Sequence, residues 1–277
     1  MSVNNFIPSI WAGKMQLENA RTSIIRAIAN TSYEGLIANQ GDQIIFPGIV
    51  DPTITTYAGS VTFEDIVDSS VTMNIDQAKY FAIKIDDVDK VQANQDVLAG
   101  ATQRAGELLK RTADQYAFGL YAQAGSTVTD ATCDTTTILG VISSAGRKLD
   151  ENDTPMEGRW MVIAPWVKEK LELAGVKFSI REGTPVASGV MWANFLGFDL
   201  YVSNNVTDPT ASGTSTKCLA GGRDAFVYAD QLTKVEAMRL EGSFDDGIRG
   251  LHVYGAKVLR PNDLVQLVLT YAAETAI

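Results

Sequence analysis

Residue types that commonly do chemistry are scarce in this chain. It has one histidine, His252, and two cysteines, Cys133 and Cys218, in 277 residues. Cys133, His252 and a nearby aspartate could in principle build a nucleophile–base pair. No glycine elbow surrounds Cys133 and there is no second histidine, so both cysteines read as buried and inert. They match no zinc spacing and are too few for a disulfide framework. The acidic run Asp86-Asp87-Val88-Asp89 offers carboxylates for a cation, but it lacks the glycine and distal glutamate of a calcium loop. It reads instead as a strand-to-helix junction, its carboxylates near a helix N-terminus or paired with a neighbour's arginines. The segment GGRD at 221–224 lacks the Lys-Ser/Thr of a phosphate loop and is expected to be a hairpin turn. No catalytic, metal or cofactor site is expected, so the elements themselves must carry the function.

Bulk properties narrow the classes further. The length suits one large domain or two modest ones sharing a core. With 45% hydrophobic and 20% charged residues, the composition is that of an ordinary folded protein. No stretch approaches the roughly 18–20 uninterrupted apolar residues of a membrane span. The opening MSVNNFIPSIW has neither the basic nor the apolar region of a secretory signal, so a soluble chain made in a cytoplasm is expected. Lys and Arg total 23 against 33 Asp and Glu, a net charge of −10. Duplex-binding surfaces are normally basic, because neutralising phosphates releases counterions. A broad nucleic-acid patch is therefore not expected, although an acidic wall would suit a container that must not adhere to DNA.

The patterning then divides the chain. Residues 1–13, with Pro8 and Gly13, read as an extended arm, and a helix is expected from Lys14 to Asn30. From 41 to 86 the character changes. QIIFPGI is a strand whose Pro47 argues against a central place in a sheet. Residues 51–69 mix turn formers with β-branched residues. Val71, Met73, Ile75, Phe81, Ile83 and Ile85 then all fall at odd positions, which predicts one apolar strand face. Fifteen such residues would span roughly 50 Å. A ribbon that long is not stable alone, so another surface must cover it, and another subunit can supply one. The strongest helix runs from Asn94 to Gln123, with an apolar face that includes Leu98, Ala105, Leu108, Leu109, Ala113 and Ala117. Arg104, Glu107, Lys110, Arg111 and Asp114 are placed on its polar face, and Gly125-Ser126 ends it. The remainder reads as mixed α+β. Helices are expected at 135–149 and 166–174, and an exposed loop at 176–194. Strands are expected at RWMVIA, 197–203, 216–220, 225–229, 234–241, 250–260 and 264–272, the last almost wholly apolar and buried.

Several stretches carry a resemblance: NFIPSIW (5–11), NTSYEGLIANQGDQIIFP (30–47), KYFAIKIDDVDKVQAN (79–94), RWMVIAP (159–165), GFDLYVSNNV (197–206) and EGSFDDGIRGLHVYGAKVLRP (241–261). In these and in element order, across nearly the whole chain, the sequence resembles the Hong Kong 97-type major capsid proteins of tailed phages. The resemblance implies an α+β fold with an N-arm, an extended hairpin loop, a long spine helix, a peripheral sheet and a central α/β axial domain. Mapped onto this chain, the N-terminal arm and short helix are 1–32. The extended loop is 33–90, with the loop proper at 41–86. The peripheral domain is 91–130 with 234–262, its spine at 94–123. The axial domain is 131–233 with 263–277, and its axial loop lies near 176–194.

The role implied is that of a shell subunit forming pentamers and hexamers of an icosahedral capsid around double-stranded DNA, not an enzyme. Neighbouring subunits would be met through Phe6 and Trp11 of the arm and through Tyr57, Phe63, Ile66, Val67, Val71 and Met73 of the loop. Asp86, Asp87 and Asp89 would add charged contacts. The spine charges Arg104, Lys110 and Arg111 would face loop carboxylates or the shell interior. Family members with a built-in scaffold carry a long charged N-terminal extension, whereas here the resemblance begins within the first ten residues. A separate scaffolding protein, or trimming, is expected, together with a portal and room for a decoration protein. Some members join a loop-tip lysine to a distant asparagine; residues 51–69 contain no lysine, so noncovalent overlap is expected here. The packaged DNA would be held without specific binding, and no membrane is involved. Virions would be the final location, after assembly in the host cytoplasm. A cargo-enclosing nanocompartment of the same fold, and a soluble enzyme with an unrecognised site, remain as alternatives.

Overall fold

A computed structural model describes residues 23–32, 43–49, 68–86, 97–174, 190–211, 215–239 and 245–273, with isolated positions between 53 and 65. The elements are α1 (Ile25–Ile28), β1 (Gln43–Ile49), β2 (Asp68–Asn74), β3 (Gln77–Asp86), α2 (Val97–Phe118) and β4 (Ser126–Cys133). They continue with α3 (Ile138–Glu151), β5 (Trp160–Ile163), α4 (Pro165–Leu173), β6 (Val190–Phe195) and β7 (Phe198–Val202). The last are β8 (Ser215–Gly221), β9 (Phe226–Arg239), β10 (Asp245–Val258) and β11 (Leu264–Tyr271). Three sheets result: the ribbon β1-β2, a three-stranded sheet β3-β10-β9, and a six-stranded sheet β4-β11-β8-β5-β7-β6.

The six-stranded sheet is mixed. β11 runs parallel to β4 and antiparallel to β8, while β5 runs parallel to β7. Trp160, Met161, Val162 and Ile163 are all buried, as a strand covered on both faces must be. Helix α3 lays Ile138, Val141, Ile142, Ala145 and Leu149 into this core, at the spacing of one helical face. The carboxylate of Asp134 accepts the N–H groups of Thr136 and Thr137 at 2.8 and 2.9 Å just before that helix starts. Pro165 opens α4, where its missing N–H costs nothing.

Helix α2 has 22 residues, a rod of about 33 Å. It tightens into a 3-10 turn at Gly119–Gln123 before β4 begins. Ala105, Leu109, Ala113 and Ala117 are buried, whereas Leu108, expected on the apolar face, is exposed. The start expected at Asn94 lies outside the described residues, as do most of the helix expected at 14–30 and most of the 176–194 segment.

Four expectations need correction. The alternating run 71–85 is divided between two sheets, because β2 ends at Asn74 and β3 pairs with β10 instead of with the ribbon. Its apolar face changes sides at that break: Ala78, an even position, packs in the same cluster as Met73 and Ile75. Phe81 and Ile83 therefore lie on the opposite side of their sheet, toward α2. Second, GGRD is not a hairpin turn. It carries the chain from β8 in the six-stranded sheet, through a 3-10 turn at Arg223–Ala225, to β9 in the three-stranded one. Third, the strands expected at 225–229 and 234–241 are one strand, β9, which pairs with β10 across a register shift at Leu251/His252. Fourth, the end of the expected 176–194 loop is strand β6, joined to β7 by a tight turn at Leu196 (φ 48°) and Gly197 (φ 84°). Strand β4 was not expected at all.

Candidate assembly surfaces

The ribbon has one seated face and one free end. Its strands pair antiparallel from Gln43 opposite Asn74 to Ile49 opposite Asp68. A two-stranded ribbon has only edges, so Pro47 costs it no ladder bond that another strand would need. Ile44, Phe46, Met73 and Ile75 pack on Val227, Ala229 and Val253 of the chain's own three-stranded sheet. The ribbon base is thus fixed to its own subunit. Beyond it, the described tip residues reach water: Ile54, Tyr57 and Phe63 are 96%, 73% and 93% exposed. Three large apolar side chains at such exposure on one segment are a surface in need of a partner. The tip 51–69 holds Asp51, Glu64, Asp65 and Asp68 and neither Lys nor Arg.

Beside the ribbon's seat, the same sheet face carries an open groove of about 440 Å³ lined by Tyr80, Ala82, Glu236, Arg249, Gly250 and Leu251. Arg249 donates from Nε and Nη2 to one oxygen of Glu236 at 2.9 and 2.6 Å, and Tyr80 is 76% exposed. The other side of the sheet meets helix α2. There Tyr116 of α2 packs edge-on against Tyr254, ring centroids 5.7 Å apart. Its hydroxyl donates to Asp76 at 3.1 Å, at the point where the chain leaves the ribbon.

Two carboxylates, one buried and one largely buried, hold the segment around α1. Asp114 of α2 is fully buried and accepts from the Ser23 hydroxyl (2.8 Å), the Ile24 N–H (3.0 Å) and the Asn205 amide (3.0 Å). Burial raises its pKa, and those hydrogen bonds offset only part of the rise. Asp230 of β9 receives the Arg26 guanidinium and the Tyr228 hydroxyl, the latter at 3.1 Å, and lies 3.0 Å from His252 Nε2. Burial works against its charge, yet hydrogen bonds from His252 and Arg26 prevail and hold its carboxyl below the ordinary value.

The sequence-predicted residues are distributed as follows. Tyr57 and Phe63 are exposed at the tip, and Val71 is partly buried beside the ribbon seat. Met73 is a correction: its side chain is wholly enclosed within its own subunit, because Ile44 opposite it and Val227 beneath it close the site, so it cannot touch a neighbour. Asp86 ends β3 opposite Asp245. Phe6, Trp11, Ile66, Val67, Asp87 and Asp89 lie outside the described residues. Arg104 contacts Glu107 of its own helix at 3.4 Å, Lys110 is exposed and Arg111 is half-buried. The nucleophile–base reading has no geometry behind it. His252 is turned to Asp230 on the three-stranded sheet, while Cys133 ends β4 of the six-stranded sheet, where burial pushes its thiol up to about 12. Among the described residues, no group of three ligating side chains could hold a metal, and no helix is long and apolar enough to cross a membrane. Sequence reasoning missed Asp114, which it placed on a solvated face; Ser23, Ile24 and Asn205, all distant in the chain, close over it.

Residues 70–267 match a family model described as phage capsid protein. No curated protein matches the chain. Among solved structures, the chain is similar to one from Mycobacterium phage Che8, at 28% identity and a TM-score of 0.81, covering 96% of this chain and 98% of that one. It is similar to the capsid structure of cyanophage P-SCSP1u at 18% identity and a TM-score of 0.75, covering 98% and 95%. The capsid of Ralstonia phage GP4 gives 13% identity and a TM-score of 0.72, covering 99% and 98%. At those lower identities the likeness is one of fold, and it extends over whole chains.

Proposed function

The chain belongs to the phage capsid protein family, and from that premise we propose that it assembles as pentamers and hexamers that close around double-stranded DNA. It is a major capsid protein of a tailed phage with the Hong Kong 97-type fold, a structural subunit of an icosahedral shell in the virion. The observation that carries the finer reading is the ribbon: a base seated on its own subunit and a tip with Ile54, Tyr57 and Phe63 in water. Such a tip gains most by lying on the next copy, and heterologous contacts of that kind close into rings and then shells. Each contact can be weak, because a closed lattice multiplies it. The groove beside Tyr80 is the surface we assign to receive a neighbour's tip. The tip has no lysine to form a covalent link, so the overlap is noncovalent. With a net charge of −10, the inner wall contains DNA without binding it specifically. A portal at one vertex and assembly in the host cytoplasm complete this reading.

Deleting residues 50–70 tests it. The expected product is a soluble, folded subunit that forms no closed particles in negative-stain electron microscopy. Normal shells from the deletion would end this account of the loop.

A further inference from the structure

Among the described residues, the chain passes three times between the six-stranded sheet and the layer formed by α2 and the three-stranded sheet. The passages are 124–125 before β4, 222–225 between β8 and β9, and 259–263 between β10 and β11. They lie against one another backbone to backbone. Gly125 N–H donates to Pro261 O at 2.7 Å and Gly222 N–H to Asp263 O at 3.1 Å. Ala225 O accepts from the N–H groups of both Leu259 (2.9 Å) and Arg260 (3.3 Å). A Cβ at Gly125 would lie only 2.7 Å from Pro261 O, so that contact has no slack.

The loop 152–159, between α3 and β5, fastens the third passage to the six-stranded sheet. Asn152 Nδ2 donates to Asn262 O at 2.8 Å, and the Thr154 hydroxyl donates to the Asp263 carboxylate at 2.7 Å. Trp160, where β5 begins, donates from Nε1 to Gly222 O of the second passage at 3.0 Å. Arg159 holds the loop from inside. It is 5% exposed, and its guanidinium donates to Pro155 O at 3.0 Å, to Thr154 O, and to the Asp150 carboxylate at 2.7 Å. A planar guanidinium with three acceptors fixes the backbone around it.

We infer that residues 152–159 are a brace that locks the angle between the two sheets, so that this angle is set within one chain and not by its neighbours. A hinge needs a few backbone bonds free to absorb the turn. Here all three passages would have to turn together, parting the bonds at Gly125, Gly222, Leu259 and Arg260. Phe226, Tyr228 and Tyr254 of one sheet do share a core with Trp160, Leu264 and Val265 of the other. Apolar burial is non-directional, however, and by itself would tolerate a change of angle. The brace bonds are directional. Thr154 is 4% exposed, so pulling Asp263 away leaves a buried hydroxyl without its acceptor. The contrast with neighbours rests on the shell reading, but the lock itself does not, and unassembled subunits test it.

Spin labels at Lys79→Cys on β3 and Ser143→Cys on α3, both exposed positions, report the distance between the two layers in the full-length chain. The native cysteines are buried and take no label. With the brace intact, one narrow distance peak is expected. Asn152→Ala combined with Thr154→Val removes both brace bonds to 259–263. That variant is expected to lose the narrow peak to a broad distribution, and to exchange the Gly222 and Leu259 amides about tenfold faster, with β8 and β11 still protected. Arg249→Gln, which breaks a surface ion pair on the three-stranded sheet, should leave the peak as it is. A broad distribution with the brace intact, or an unchanged peak in the double variant, would overturn the proposal. If the double variant also loses protection in β8 and β11, Asn152→Ala alone, at an exposed side chain, decides: broadening supports the lock and an unchanged peak ends it.

Discussion

Cys133 and Cys218 are both fully buried, and burial pushes both thiols up to about 12, with Asp130 adding to the effect at Cys133. At pH 8 neither supplies thiolate. A thiol-titrating reagent is expected to find no reactive cysteine in the folded subunit and both after denaturation; rapid labelling of the native chain would contradict this placement. The burial of both cysteines was legible in the sequence. Asp114 was not. Its neighbours Arg111 and Lys110 mark a solvated face, and nothing within the helix says that Ser23 and Asn205, both some 91 residues away, will close over it. Met73 was misjudged for a related reason. Alternation predicts that a side chain is covered, but not whether its own subunit or the next one does the covering.

At the scale of elements, the ribbon depends on a close backbone approach. A Cβ at Gly255 of β10 would lie 2.8 Å from the Asn74 carbonyl oxygen and 2.8 Å from Ile75 Cδ1, where the chain leaves the ribbon. A backbone oxygen cannot step aside as a side chain can. Gly255→Ala is therefore expected to lift the ribbon base and cost about 1–3 kcal/mol, read as a lower denaturation midpoint with faster exchange in β2. An unchanged midpoint would mean that the seat is softer than its geometry implies. The helices and buried strands were readable because their periodicity is local. The strands β4 and β6 were not, since both stand at the ends of the six-stranded sheet and are paired on one side only. Strand β4 is polar, STVTDATC, and half exposed, and its place rests on parallel pairing with a strand over a hundred residues away.

At the scale of the whole molecule, the proposed assembly surface lies apart from the core. Ile54 and Phe63 are almost fully exposed and add nothing to the subunit's core. The double variant Ile54→Ser, Phe63→Ser is expected to keep its melting behaviour, within about 0.5 kcal/mol of the parent, while forming few or no closed particles. Unimpaired shells would show that these side chains are not the contacts a neighbour uses.

What the sequence by itself determined was the inventory and order of the main elements, the absence of a motif for catalysis, and the family resemblance. Those are local or cumulative properties, written in periodicity, turn residues and short matching stretches. Tertiary structure alone decided which sheet each strand joined. It divided the 71–85 run between two sheets, turned GGRD into a crossing, and buried Met73 and Asp114 within one subunit. The reason is physical: strand pairing and burial are set by partners distant in the chain, and a residue's own neighbours do not encode where that partner lies.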